Sequence, residues 1–143
     1  RTALNRIYDR YDLPIFIAEN GLGSTDHPDK NGYVRDDDRI EYMKGHVREM
    51  REAIADGVDV FGYAWWGPMD LVSSGTSEIS KRYGMIGIDA DNEGNGTYNR
   101  FKKKSFYYYK KLIASNGADL ENNVGDEPTE DWCATGKYTV ENI

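Results

Sequence analysis

The chain has a single cysteine, Cys133, and only two histidines among its 143 residues. One cysteine excludes an internal disulfide and is compatible with a reducing compartment. Two histidines without a cysteine cluster do not make a recognisable set of metal ligands, so we predict no metal site. The sequence also lacks a P-loop and a GxGxxG motif, which means that any bound phosphate would be held by side chains.

Long hydrophobic runs and a basic surplus are missing as well. No apolar run approaches the ~20 residues of a membrane span, so we predict no membrane partner, and the charged start of the chain is unlike a signal peptide. The net charge is −7; residues 118–143 carry seven acidic side chains and one basic one. Nucleic-acid binding needs a basic face, and this charge distribution does not favour it.

Helical and strand patterns alternate along the rest of the chain. They predict helices over residues 2–11, 38–56 and 98–115, strands over 15–18 and 58–66, and a hairpin involving 82–89. Asp38 and Glu41 have the spacing of a capping box at the start of the second helix. The alternation predicts an α/β fold with parallel strands. Two strands cannot bury a sheet alone.

The element order therefore predicts the last βα units of a (β/α)8 TIM barrel, incomplete as given, because a whole barrel needs ~250 residues. We assign residues 1–117 to this catalytic portion. Residues 118–143 show no periodicity, and we predict an acidic, loosely structured tail.

One carboxylate stands out by its position. The apolar strand that begins at Ile15 runs directly into Glu19, which is followed by the turn signal Asn20-Gly21. A carboxylate at the carboxyl end of a buried strand is where many barrel enzymes keep a catalytic group. The alternative is a solvated acid at the end of an ordinary strand.

Three segments together resemble the family 1 glycoside hydrolases: residues 16–21 (FIAENG), 62–70 (GYAWWGPMD) and 81–89 (KRYGMIGID). The resemblance covers about residues 1–120 and implies a (β/α)8 barrel and a retaining mechanism with Glu19 as the nucleophile. In this family the acid/base lies in an Asn-Glu-Pro motif. This sequence has only Asp126-Glu127-Pro128 in its acidic tail, so we expect the acid/base to lie outside this chain.

The loop after Asp70 resembles the 6-phospho-β-glucosidase subgroup. Ser73 stands where ordinary β-glucosidases carry a sugar-binding glutamate, and Lys81 and Tyr83 complete a Ser…Lys-x-Tyr pattern. An ammonium and two hydroxyl donors suit a phosphate dianion. Ser74 replaces the tryptophan typical of galactose-preferring relatives, which favours a gluco-configured substrate.

The resemblance further implies that Trp66 is a sugar-stacking platform, and that the enzyme is cytoplasmic, needs no cofactor and acts on a small-molecule 6-phospho-β-glucoside. The oligomeric state stays open. Three alternatives remain: a β-glucosidase acting on unphosphorylated glucosides, a non-catalytic fragment that is inactive without the missing acid/base, and a sugar-binding module that uses its aromatic residues without cleaving.

Overall fold

The computed structural model describes residues 1–126, 128–129 and 132–133. Seven elements follow one another: α1 (Thr2–Tyr11), β1 (Ile15–Asn20), α2 (Asp37–Ala55), β2 (Val60–Trp65), β3 (Ile86–Ile88), β4 (Arg100–Lys102) and α3 (Lys104–Ala114). The predicted α/β class is confirmed, because β1 and β2 pair in parallel and α2 lies between them in the chain. The hairpin predicted from residues 82–89 is confirmed in part: residues 86–88 form β3 and pair antiparallel with β4, which lies in the stretch predicted as helix.

The core lies between α2, α3 and the carboxyl end of β2. The apolar face predicted for α2 is buried over its first three turns, and its last member, Ile54, is exposed. Tyr108 of α3 is fully buried, and its hydroxyl donates to the carbonyl oxygen of Leu120 at 2.5 Å. The cluster consists of Ile40, Met43, Val47, Trp65, Met85, Tyr108, Leu112 and Leu120.

Two predicted helix starts are wrong. Asp36, not Asp38, is the N-cap position of α2, and its carboxylate makes no cap hydrogen bond. It accepts instead from the backbone N–H of Ser105 at 2.8 Å and from the hydroxyl of Ser105 at 2.5 Å. The last helix begins at Lys104 and not at residue 98, because residues 100–102 form β4 against β3.

The chain that follows α3 contacts the body where the structure describes it. Leu120 is buried, and Glu121 pairs with Arg48 of α2 at 2.9 Å. The ring of Trp132 meets Tyr33 edge-on, with ring centroids 5.7 Å apart. Residues 127, 130, 131 and 134–143 of the predicted tail lie outside the described residues, so a loosely structured unit at 118–143 stays a prediction.

Candidate active site

Glu19 lies at the carboxyl end of β1, one residue before the strand ends, and is exposed. Parallel strands present their carboxyl ends at one edge, and here Asn20 pairs with Trp65 of β2. The next residue, Trp66, donates its backbone N–H to the carbonyl oxygen of Asn20 at 3.0 Å. The predicted nucleophile and the predicted sugar platform therefore lie at the same sheet edge.

The two neighbouring tryptophans have different environments. Trp65 is 6% exposed, and its indole N–H donates to the carbonyl oxygen of Tyr83 at 3.1 Å. Trp66 is 39% exposed. Trp65 is thus a core residue that also anchors the segment carrying Tyr83, whereas the indole of Trp66 offers a surface for stacking.

Asn20 is held by two tyrosines that sequence reasoning missed. The hydroxyl of Tyr63 on β2 donates to Oδ1 of Asn20 at 2.9 Å, and Nδ2 of Asn20 donates to the hydroxyl of Tyr42 on α2 at 3.3 Å. Burial raises the pKa of Tyr63 far above its usual range, so its hydroxyl remains a donor. These contacts fix the backbone directly beside Glu19.

The structure brings three of the predicted phosphate-binding residues together. The hydroxyls of Ser73 and Tyr83 are 3.3 Å apart, and Nζ of Lys81 lies 5.6 Å from the centroid of the Tyr83 ring. Hydrogen bonds from Ser73 and from Lys81 hold the pKa of Tyr83 below its usual range. Ser74 is exposed and has no side-chain hydrogen bond to this group among the described residues.

The loop after β1 passes directly over this cluster. Ser24 and Arg82 form an antiparallel bridge with backbone hydrogen bonds of 2.9 and 2.8 Å. A β-carbon on Gly23 would lie 2.7 Å from Cε1 of Tyr83 and 2.9 Å from Cε of Lys81. A larger residue at position 23 would therefore displace the side chains of Tyr83 and Lys81, so the segment that follows Glu19 and the Lys81–Tyr83 stretch are in close contact.

A buried charge network lies behind both loops. Nζ of Lys103 is 3.0 Å from Asp70 and 2.5 Å from Asp26, and the Arg39 guanidinium lies 3.2 Å from Asp26 and 2.8 Å from Asp36. Lys103 and Arg39 are fully buried. Paired partners are what make burial of such charges tolerable.

Sequence reasoning included Lys103 in the predicted helix over 98–115, whereas it precedes α3, and it did not single out Arg39. One signal could have found Arg39. It precedes Met43 by four residues, so it lies on the same face of α2 as the apolar core residues.

Residues 1–118 match the family model described as Glycosyl hydrolase family 1. The chain belongs to glycosyl hydrolase family 1. The predicted resemblance is thereby confirmed over most of the sequence, including the segments that carry Glu19, Trp66 and the Ser73–Tyr83 loop. The roles of individual residues stay predictions.

Curated relatives of this family 1 chain carry phospho-glucosidase names. It is 58% identical over 120 residues to the aryl-phospho-beta-D-glucosidase BglH of Bacillus subtilis (strain 168), covering 84% of this chain and 26% of that protein. It is 55% identical over 121 residues to the 6-phospho-beta-glucosidase AscB of Escherichia coli (strain K12), covering 85% of this chain and 26% of that protein. The chain thus spans about a quarter of the length of these relatives, and the resemblance to the 6-phospho-β-glucosidase subgroup is confirmed.

A solved structure shows a similar family 1 fold. The family 1 β-glucosidase from Thermotoga maritima in complex with isofagomine lactam has a TM-score of 0.72 and 31% sequence identity. The match covers 81% of this chain and 25% of that one.

The described residues contain neither a metal-binding cluster nor a membrane-spanning helix. No group of three or more His, Cys, Asp or Glu side chains in that part of the family 1 chain is arranged to hold a metal ion. No helix there is long and apolar enough to cross a bilayer.

Proposed function

We propose that this chain forms the last βα units of a (β/α)8 barrel in a retaining 6-phospho-β-glucosidase, with residues 1–117 in the catalytic domain and 118–143 as a tail. The β1–β2 pair is a sheet of two strands. Phe16 and Phe61 stack on it with centroids 5.5 Å apart and are 49% and 68% exposed. An uncovered aromatic pair on a two-stranded sheet supports the view that further barrel strands and helices complete this surface.

Glu19 is the proposed nucleophile. Its carboxylate oxygen would attack the anomeric carbon as the glycosidic C–O bond breaks, giving a glycosyl ester. The leaving oxygen would take its proton from a second carboxylic acid about 5–5.5 Å from Glu19. That acid, converted to its base, would then take a proton from the water that cleaves the ester. We place this second carboxylate on a segment outside the present chain, consistent with the quarter-length match to the relatives.

The observation that carries the substrate proposal is the cluster of Ser73, Lys81 and Tyr83. The 3.3 Å separation of the Ser73 and Tyr83 hydroxyls is long for an O–H···O bond, so a phosphate oxygen could replace that contact at small cost. Ser73 is 1% exposed, whereas Lys81 and Tyr83 are half-buried, so these two side chains would meet the phosphate first. Charge-assisted bonds from this group would hold the 6-phosphate and use remote binding energy to orient the anomeric carbon against Glu19.

Trp66 and Ser74 complete the proposed sugar site. The half-exposed indole of Trp66 would stack on the apolar face of the glucose ring. The small, exposed Ser74 leaves room for the gluco configuration. We expect the enzyme to be cytoplasmic, where sugars phosphorylated on import would be available, and the proposed reaction needs no cofactor.

A pair of chromogenic glucosides with and without a 6-phosphate tests the proposal. The protein for this test is a chimaera in which residues 1–118 replace the matching segment of the Bacillus subtilis relative, which supplies the remaining length. We expect kcat/KM to be about 10²-fold or more higher for the phosphorylated substrate, since each charge-assisted bond contributes about 1.5–3 kcal/mol. The Lys81→Ala variant should lose most of that preference and leave hydrolysis of the plain glucoside within about threefold. Lys30→Ala, an exposed lysine in the loop after β1, is the control.

Equal loss on both substrates in Lys81→Ala would show that the phosphate assignment is wrong. The alternative, hydrolysis of unphosphorylated glucosides, is suggested by the similarity to the Thermotoga β-glucosidase and would give equal or higher kcat/KM for the plain substrate.

The isolated 143-residue chain is expected to turn over neither substrate, because it lacks an Asn-Glu-Pro motif. Glycosidase activity of that chain above the buffer blank would contradict the location of the acid/base elsewhere.

The pH profile offers a separate check on Tyr83. Hydrogen bonds from Ser73 and Lys81 lower the pKa of Tyr83, so its phenolate forms at a pH below the ordinary tyrosine value of ~10. A phenolate repels the phosphate dianion. We therefore expect kcat/KM for the phosphorylated substrate to fall on the alkaline side below pH ~10, since kcat/KM reports the free enzyme. In Tyr83→Phe this limb should move to higher pH; an unchanged limb would contradict the role of Tyr83.

A further inference from the structure

Arg39 of α2 is fully buried, yet its guanidinium reaches both loops of the candidate site. We infer that Arg39 is a positioning residue for substrate selectivity: it holds the Lys81–Tyr83 stretch where the 6-phosphate is bound. The inference rests on the proposed function, because it concerns how the phosphate cluster keeps its geometry. Arg39 would touch neither the sugar nor the phosphate.

The contacts of Arg39 are made through its two terminal nitrogens. One terminal nitrogen, Nη2, donates to the carbonyl oxygen of Arg82 at 2.7 Å and to the hydroxyl of Ser24 at 3.2 Å. The other, Nη1, donates to the carboxylate of Asp36 at 2.8 Å, and both lie 3.2 Å from Asp26. Nε has no hydrogen-bond partner among the described residues. The terminal nitrogens thus join α2, the loop after β1 and the phosphate-cluster segment at one point.

The carbonyl of Arg82 is the contact with the greatest consequence. Arg82 lies between Lys81 and Tyr83 in the chain. Fixing the position of its carbonyl group therefore also fixes the backbone from which the Lys81 and Tyr83 side chains extend. The side chain of Arg82 is anchored as well, because its guanidinium donates to the carbonyl oxygens of Ile88 at 3.1 Å and Ala90 at 2.6 Å. Arg39 therefore completes the immobilisation of a three-residue segment whose outer members would bind the phosphate.

The chemistry of this position requires arginine. A guanidinium is planar and offers five N–H donors in a fixed fork, whereas an ammonium is a compact point charge on a flexible stem. A lysine at position 39 could keep a charge near Asp26 and Asp36. Its single nitrogen could not replace both Nη1, which contacts Asp36, and Nη2, which contacts the carbonyl of Arg82 and the hydroxyl of Ser24. Arg39→Lys thus separates the buried charge from the bridging geometry.

The test compares Arg39→Lys with the unmodified chimaera on the same pair of glucosides. We expect KM for the phosphorylated substrate to rise about tenfold with kcat within about twofold, and KM for the plain glucoside to stay within about twofold. A merely structural role would lower the amount of active enzyme and change both substrates together. Arg48→Lys is the matched control, because Arg48 lies on the same helix and makes an exposed pair with Glu121.

Ser24→Ala removes one of the Arg39 contacts without altering any charge. If Arg39→Lys does not fold, this variant tests the positioning role of Arg39. We expect a two- to threefold loss of preference for the phosphorylated substrate in that variant. Unchanged preference in the variants that fold, or an equal change on both substrates, would overturn the inference. Failure of the proposed function looks different: the unmodified chimaera would then show no preference for the phosphorylated substrate, and the inference would fall with it.

Discussion

Replacement of Glu19 by glutamine is expected to lower kcat for a 6-phosphorylated β-glucoside by about 10⁴-fold or more, because a neutral amide cannot form the glycosyl ester. KM should change little, since glutamine has nearly the same shape as glutamate. The measurement is steady-state and burst-phase kinetics of the chimaera. Glu93→Gln, which alters an exposed carboxylate in the turn before β4, should retain full activity.

A rescue experiment separates a lost nucleophile from a damaged site. In Glu19→Ala, azide can enter the space left by the carboxylate and attack the anomeric carbon from the same side. The expected product is a glycosyl azide of inverted configuration, because azide attacks the anomeric carbon opposite the leaving oxygen while the second carboxylic acid still protonates that oxygen. Activity of Glu19→Gln above about one tenth of normal, or azide rescue without the inverted product, would contradict the nucleophile assignment.

Replacement of Lys103 by methionine is expected to cost about 3–5 kcal/mol of unfolding free energy, because it removes the nearest cation from two carboxylates and leaves them only Arg82 at 3.6 Å and Arg39 at 3.2 Å. Asp70 would keep the backbone N–H of Gly84 at 2.8 Å, and Arg82 would remain 3.6 Å away. Asp26 would lose a 2.5 Å partner. Methionine has a similar length, so the change removes the charge without leaving a large cavity.

Urea unfolding of the chimaera and its Lys103→Met variant measures this loss as a lower midpoint. Lys110→Met is the matched control: it removes an exposed lysine of α3, the helix that begins directly after Lys103, and should stay within about 0.5 kcal/mol of the parent. If Lys103→Met were no more costly than Lys110→Met, the charge network would not stabilise the fold as its burial indicates.

The parts of this structure that follow from local sequence could be predicted. The strand that carries Glu19 and most of the apolar face of α2 are encoded by nearby residues, and both occur close to where their patterns predict them. Ser73, Lys81 and Tyr83 were grouped by a motif, and the fold brings them together through a turn within the same loop. Such features need no knowledge of distant chain segments.

The features that were missed depend on partners far away in sequence. The carboxylate of Asp36 does not cap α2 but accepts a hydrogen bond from Ser105, which lies 69 positions further along the chain. Lys103 is buried because Asp26 and Asp70 surround it. From the local sequence alone, Arg39 and Lys103 would be expected at the surface. A charged side chain is buried only where oppositely charged groups from other loops surround it.

The central claim is that Glu19 becomes covalently bonded to a 6-phosphorylated glucosyl group. A 2-deoxy-2-fluoro-6-phospho-β-glucoside with a good leaving group tests it directly, because fluorine at C2 disfavours the oxocarbenium-like transition state and lets the glycosyl-enzyme accumulate. Peptide mass spectrometry of the treated chimaera should find the added fluoro-6-phosphoglucosyl mass on Glu19, and much slower labelling by the analogue without phosphate. A label on any other residue, no label at all, or equal labelling by the two analogues would contradict the account.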